Sequence, residues 1–387
     1  MSSFKQEFGQ EEKHPTKELY AICVIFFVLG VSFSTLAARM PAIRDSARLI
    51  PATLGYVLLI RGLGTVTVMP LVAVAIQKYS TRSVALASGL GIAFVLIPIA
   101  FAGHWMTLAV AMLLLGAAEG AYNVSINALA SDIEVKSGKS KMSIIHAFFG
   151  IGNLAGALIS TSVAGLGISI ISHFIATAIV LVFILFLSFH YVPKPKRTKK
   201  ARSIRLSFPK GSLIWVGAIG FMGAAVESSV NNWVALFFTD RLGMSEGSAP
   251  IGYVAYVGAM LLMRLVGDRL KMMIGARVLL IAGSVLGCSG IILALSTSSF
   301  VVATIGFFAA GAGVSLTFPM IFSAAGKEGP LALASIATMG YLGGMISQPL
   351  VGAAVSGFNL FGGFVLIAIM TGAIAFFAWK ATLLNRQ

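Results

Sequence analysis

Apolar stretches of about 20 residues, separated by short polar or basic segments, recur from one end of the chain to the other. A helix of that length covers the roughly 30 Å hydrocarbon core of a bilayer. The pattern predicts twelve spans, at 19–38, 54–76, 84–102, 106–130, 143–165, 168–189, 213–238, 249–267, 278–296, 300–323, 331–355 and 361–383. Spans five and six, and eleven and twelve, are parted only by Gly165-Leu166-Gly167 and Gly357-Phe358-Asn359. Pro70, Pro98, Pro319 and Pro349 fall inside spans, a placement that membrane helices tolerate. The first stretch, from Leu19 through Phe26-Phe27 towards Leu36, is too long for the core of a signal peptide. Its Ala37-Ala38-Arg39 end makes no clear cleavage site, so it reads as a retained span.

Composition agrees. Of 387 residues, 58% are hydrophobic and 11% charged, against about 25% charged in a soluble chain. No length is left for a separate soluble domain. The net charge of +15 would suit a nucleic-acid partner, but its distribution points to topology instead. Lys78, Arg82, Lys136, Lys139, Lys141, Arg269, Lys271, Arg277 and Lys327 lie in alternate loops, the positive-inside pattern. Between spans six and seven stand Lys194, Lys196, Arg197, Lys199, Lys200, Arg202, Arg205 and Lys210. Both termini are therefore expected in the cytoplasm, with the protein in the plasma (bacterial inner) membrane. The opposite loops carry little positive charge beyond Arg39, Arg44, Arg48 and Arg241, and Asp45 is at hand to neutralise part of the arginine-rich first one.

The chain divides into a tail (1–18), a six-helix bundle (19–189), a basic linker (190–212) and a second six-helix bundle with a short tail (213–387). The linker reads most simply as a tether near anionic headgroups. Ala52-Thr53-Leu54-Gly55-Tyr56-Val57 and Ala249-Pro250-Ile251-Gly252-Tyr253-Val254 open the second span of each half, 197 residues apart. Ser80-Thr81-Arg82 and Gly275-Ala276-Arg277 follow those spans. Tandem halves of this kind suit a transporter that rocks about a site near the bilayer midplane.

Ionisable groups at membrane depth are costly and default to function. Glu119 and Glu227 are two such acids. Glu119, Asn123 and Asn127 repeat every four residues and form one slanted polar stripe on a helix. The stripe could bind a polar solute or hold a proton, or it could be a helix–helix contact with a permanently protonated acid. Glu227, Ser228, Asn231, Asn232 and Trp233 form a second cluster, although Asn232 and Trp233 would also suit an interfacial anchor. Arg61 in span two could pair with Glu119, bind an anionic group by its fork, snorkel outward or pair with Asp45.

Twelve spans, two halves and a basic central loop resemble the major facilitator superfamily over nearly the whole chain. That family's loop G-x-x-x-D-R-x-G-R-R is similar to Ala73 to Arg82 here, with Gln77 in place of the Asp, Ser80 in place of the second Gly, and Arg82 retained. Arg264-Leu265-Val266-Gly267-Asp268-Arg269-Leu270 looks like the related motif of the second half. Four segments resemble the fucose-permease-like branch and its uncharacterised bacterial relatives: Ala38-Arg39-Met40-Pro41-Ala42, Ala118-Glu119 with Asn123, His146-Ala147-Phe148, and Glu227 with Asn231-Asn232-Trp233. The resemblance implies an all-α polytopic fold of two six-helix pseudo-repeats, with spans four and seven bordering one central cavity.

Glu119, Asn123, Asn127, Glu227, Asn231 and Arg61 are then candidates for solute and proton binding. His146 suits a pH-sensitive gate or an interhelical hydrogen bond, and Arg264, Asp268 and Arg269 an inner-face gate or structural pairing. Tyr122, Phe318, Tyr341 and Gln348 could line the cavity. Gly150, Gly152, Gly156, Gly340, Gly343 and Gly344 permit close helix approach. Cys23 and Cys288 read as packing thiols, with no disulfide or metal framework. The sequence contains no H-E-x-x-H, no G-x-x-x-x-G-K-[ST] and no Cys/His cluster. No enzyme activity, cofactor or metal site is therefore expected, and uphill transport must draw on an ion gradient or exchange. The expected function is secondary transport of a small polar solute, a sugar among the candidates, coupled to protons and carried out by a monomer. A proton-driven exporter of amphipathic compounds and a non-transporting membrane receptor or scaffold are the alternatives.

Overall fold

A computed structural model describes residues 15–137, 141–193 and 207–386, and the regular elements among them are all helical. The first half holds α1 (Pro15–Ala38), α2 (Met40–Ser46), α3 (Pro51–Tyr79), α4 (Thr81–Ala100), α5 (Trp105–Ser137), α6 (Met142–Gly165) and α7 (Ile170–Phe189). The second holds α8 (Leu213–Leu236), α9 (Ile251–Ile274), α10 (Ala276–Leu295), α11 (Phe300–Val314), α12 (Thr317–Lys327) and α13 (Pro330–Lys380). Lys139 and most of the basic linker, from Lys194 to Arg205, lie outside the described residues.

Most of the predicted spans appear as helices, with instructive differences. Gly165 ends α6 and Gly167, at φ +71°, turns the chain into α7. α13 runs 51 residues, about 77 Å at 1.5 Å per residue, more than twice the thickness of a hydrocarbon core. It crosses twice, because Phe358 and Asn359 leave helical geometry and the Asn359 side chain accepts the Phe361 N–H at 2.8 Å. α5 continues to Ser137, seven residues past its expected end at 130. Two departures were not anticipated. The tenth span is broken at Ser315-Leu316 into α11 and α12, and the short α2, with Pro41 in its first turn, precedes α3. A π-helical turn, Phe237–Arg241, occupies the corresponding place in the second half.

Helix pairing repeats between the halves. α1 packs on α6 and α3 on α5; α8 packs on α13 and α9 on α11. Across the molecule α6 meets α9 and α3 meets α13. Lipid tails are as apolar as leucine, so the approach depends on small residues. A Cβ on Gly152 would meet the Phe27 carbonyl oxygen at 2.2 Å, and one on Gly343 the Phe221 oxygen at 2.0 Å. The repeat reaches single atoms. Ser80 (φ 115°) and Gly275 (φ 79°) make the same turn after α3 and α9. Two residues on, the Arg82 guanidinium donates to the Phe189 carbonyl at the end of α7, and that of Arg277 to the Trp379 carbonyl near the end of α13.

Candidate functional site

A cavity of about 1200 Å³ lies between the halves, walled by α1, α3, α5 and α6 on one side and α8, α9, α12 and α13 on the other. Its mouth, marked by Met142, Asp268 and Phe322, is at the end of the molecule that carries the basic loops. Its walls also include Phe33, Leu58 and the buried Gln348.

Glycine spacing brings the first acid to its partner. A Cβ on Gly116 would come within 1.9 Å of the Arg61 carbonyl oxygen, so α3 and α5 touch backbone to backbone one turn before Glu119. Arg61 Nε donates to Glu119 Oε2 at 2.9 Å and Nη2 to Oε1 at 2.7 Å. This bidentate fork is among the stronger ion-pair geometries, and both side chains are enclosed (12% and 5% exposed). The guanidinium also lies 4.9 Å from the Phe33 ring centroid. Of the readings open to Arg61, the pair with Glu119 is the one realised, and Asp45 instead accepts a 2.7 Å bond from Arg44. Asn123 faces the cavity. Asn127 is not among the lining residues; its amide donates to Asn123 Oδ1 at 2.6 Å and orients it. The slant of the stripe carries this third member off the wall.

The second acid is held differently. Glu227 is 27% exposed, and its nearest cation, Arg264 Nη2, is 3.9 Å away, beyond hydrogen-bond reach. Arg264 lines the cavity and reaches the Ser315 carbonyl at the break between α11 and α12. Asp268 lines the mouth, Arg269 does not, and no ion pair joins either of them to Arg264. His146 faces the cavity with its ring edge-on to Phe26 at 5.0 Å. Asn231 lines the wall with a buried, unpartnered Oδ1. Trp233 is 1% exposed and donates to Gln348 Oε1 at 3.3 Å, so it is no interfacial anchor. Gln348 is the hub of this wall: it also accepts from Asn232 at 3.2 Å and donates to Ser228 at 3.1 Å. Phe318 and Tyr341 line the cavity, whereas Tyr122 is fully buried and donates to the Ile25 carbonyl at 3.0 Å.

The opposite end is closed by contacts between the halves. Arg44 pairs with Asp240, the Ala52 N–H donates to Ser356 Oγ at 2.9 Å, and a Cβ on Gly247 would meet Gly165 Cα at 2.5 Å. Tyr253 donates to Asn153 Oδ1 at 2.8 Å, again from one half to the other. Arg44, one of the arginines that broke the charge asymmetry, is thus taken up in closing this face.

Residues 22–347 match the family model described as Major Facilitator Superfamily. The chain belongs to the major facilitator superfamily. It is a multi-pass membrane transporter and not an enzyme. This facilitator is 32% identical over 354 residues to an uncharacterised MFS-type transporter of Yersinia pestis, covering 90% of this chain and 92% of that one. It is 27% identical over 376 residues to the membrane protein MosC of Rhizobium meliloti, covering 95% and 91%. Among solved structures, it superposes on the nucleoside transporter NupG with TM-score 0.73 at 15% identity, covering 96% of this chain and 99% of that one. For the transporter FucP in the outward conformation the TM-score is 0.62 at 14% identity, covering 94% and 98%. The structural likenesses establish the fold of this facilitator alone.

Two features of the site were not legible as such. Gln348 was one polar residue among several in an apolar span, and its role depends on α8 lying against α13. Gly116 carried no mark separating it from other glycines; only its spacing, one turn before Glu119, could have singled it out.

Proposed function

We propose that this transporter moves a small polar solute by alternating access, driven by protons, with Glu227 as the proton-carrying group. The observation that carries the reading is the contrast between the two acids. Glu119 is enclosed and clamped by two short bonds from Arg61, whereas Glu227 faces the cavity with no hydrogen-bonded cation. A carboxylate held in a bidentate fork has both oxygens occupied by its cation, whereas one at the cavity wall without a hydrogen-bonded cation is open to proton exchange. In this reading the Arg61–Glu119 pair, Asn123 and Asn231 bind the solute. Asn127 holds Asn123 in place, and Gln348 fixes Asn232, the neighbour of Asn231.

Deprotonated Glu227 attracts Arg264 and holds α8 to α9. Protonation releases Arg264 and removes the cost of a bare charge as the cavity closes. His146, Asp268 and Arg269 act around the mouth. The halves, 19–189 and 213–387, rock as units in a monomer. Both termini and the mouth face the cytoplasm of a bacterial inner membrane, which the positive-inside distribution supports. The nucleoside transporter NupG, which shares the fold, supports a polar ring-bearing solute, a sugar among the candidates. One observation favours an exporter of amphipathic compounds as the second reading: Phe318 and Phe322, stacked at 5.8 Å, and Met142, Met320 and Met345 give the cavity a large adaptable apolar surface.

The test is proton movement in sealed proteoliposomes carrying a pH dye, on adding pooled candidate solutes. A solute-dependent pH change that disappears in Glu227→Gln supports the reading. Coupling that persists in Glu227→Gln and is lost only in Glu119→Gln assigns the proton to the other acid and refutes it. For the second reading, loss of the gene sensitises cells to several unrelated amphipathic compounds.

A further inference from the structure

The face opposite the cavity mouth has a hollow of its own, about 470 Å³, which the transport reading leaves without a task. Its walls come from both halves: Arg39, Asp45 and Ser46, the turn between α6 and α7, and Ser245 with Glu246. Arg39 sits at the junction of α1 and α2 and is 3% exposed. One of its bonds is satisfied, Nη2 to the Ile168 carbonyl at 3.1 Å. Nε and Nη1 are buried and have no partner. Leaving a buried charge short of hydrogen bonds is expensive. The nearest acid, Glu246 Oε2, stands 3.8 Å from Nη1, too far for a hydrogen bond, on a side chain that is half exposed.

We propose that this hollow binds a small monocarboxylate solute, whose carboxylate takes the place of Glu246 against Arg39. Two carboxylate oxygens match the planar fork of a guanidinium. The first turn of α7, with Ser169 and Ile170 in the wall, adds the positive end of a 20-residue helix. Glu246 is a placeholder in this arrangement: its pair is long, and it is free to swing into water when a ligand arrives. Asp45 and Glu246 in the same wall disfavour a dianion, which sets a carboxylate apart from a phosphate. Because both halves contribute, a bound carboxylate also favours the arrangement in which this face is closed.

The experiment is saturation-transfer NMR on the full-length protein in detergent, titrated with acetate and, separately, with inorganic phosphate. Acetate is expected to bind saturably and more tightly than phosphate. Glu246→Gln should tighten acetate binding severalfold by removing the competing carboxylate, and Arg39→Gln should abolish it. The proposal is overturned if acetate does not saturate on either the native protein or Glu246→Gln, if Arg39→Gln leaves binding unchanged, or if phosphate binds better than acetate. Should Arg39→Gln fail to fold, Glu246→Gln decides alone, and acetate binding that is unchanged or weaker there refutes the site.

Discussion

At the scale of single residues, the Arg61–Glu119 clamp is the most consequential pair. Removing one partner leaves the other buried without compensation, which costs about 3–5 kcal/mol. Arg61→Met alone should therefore lower the thermal midpoint more than Arg61→Met combined with Glu119→Gln; equal losses would mean the pair is not a unit. Ser80 offers a change in the other direction. It occupies φ 115°, where its counterpart in the repeat is Gly275. A side chain there carries strain of order 1–3 kcal/mol. Its Oγ accepts the Ser83 N–H at 3.2 Å, and replacing such a cap by glycine costs only a few tenths of a kcal/mol. Ser80→Gly should stabilise the protein by about 1 kcal/mol, read as a higher thermal midpoint with transport unaltered.

At the scale of elements, the acids are placed by helices held in register through contacts far from any charge. The Gly116 contact sets where Glu119 sits relative to Arg61. Gly116→Ala pushes α3 and α5 apart and should weaken solute binding although every polar group is retained. Binding equal to that of the native protein would show that α3 and α5 adjust without moving the clamp. In the second half, Gln348 joins α13 to α8 through Trp233 and Asn232. Gln348→Leu strands the Trp233 indole N–H, at about 1–3 kcal/mol for a buried unsatisfied group, and should lower the thermal midpoint accordingly.

For the whole molecule, the proposed alternating access makes the closed face and the open cavity two sides of one equilibrium. Gly165 and Gly247 lie in different bundles and meet across the closed face, so in that proposal their contact is lost when the face opens. A methyl group on Gly247 strikes backbone on the opposing half. Gly247→Ala should therefore shift the population towards opening on that side. Hydrogen–deuterium exchange along 164–170 and 245–252 should accelerate while the interior of each half stays protected. Unchanged exchange there would mean that this contact does not hold the face shut.

Spans, the two-half plan and the pair of intramembrane acids follow from hydropathy and charge, because a bilayer demands long apolar helices and penalises every ionised group within them. The break at Phe358-Asn359 was also legible, since no single helix of that length fits a membrane. Other features depended on neighbours distant in sequence. Arg61 had several open partners until α3 met α5. Asn127 shared the spacing of Glu119 and Asn123 but rotates off the wall. Trp233 had the composition of an interfacial anchor and is instead bonded deep in the core. Arg44 looked like part of an exception to charge topology and instead pairs with Asp240 of the other half. Periodicity and charge specify what each helix must bury; which polar group then meets which is decided by contacts between helices, and those exist only once the chain has folded.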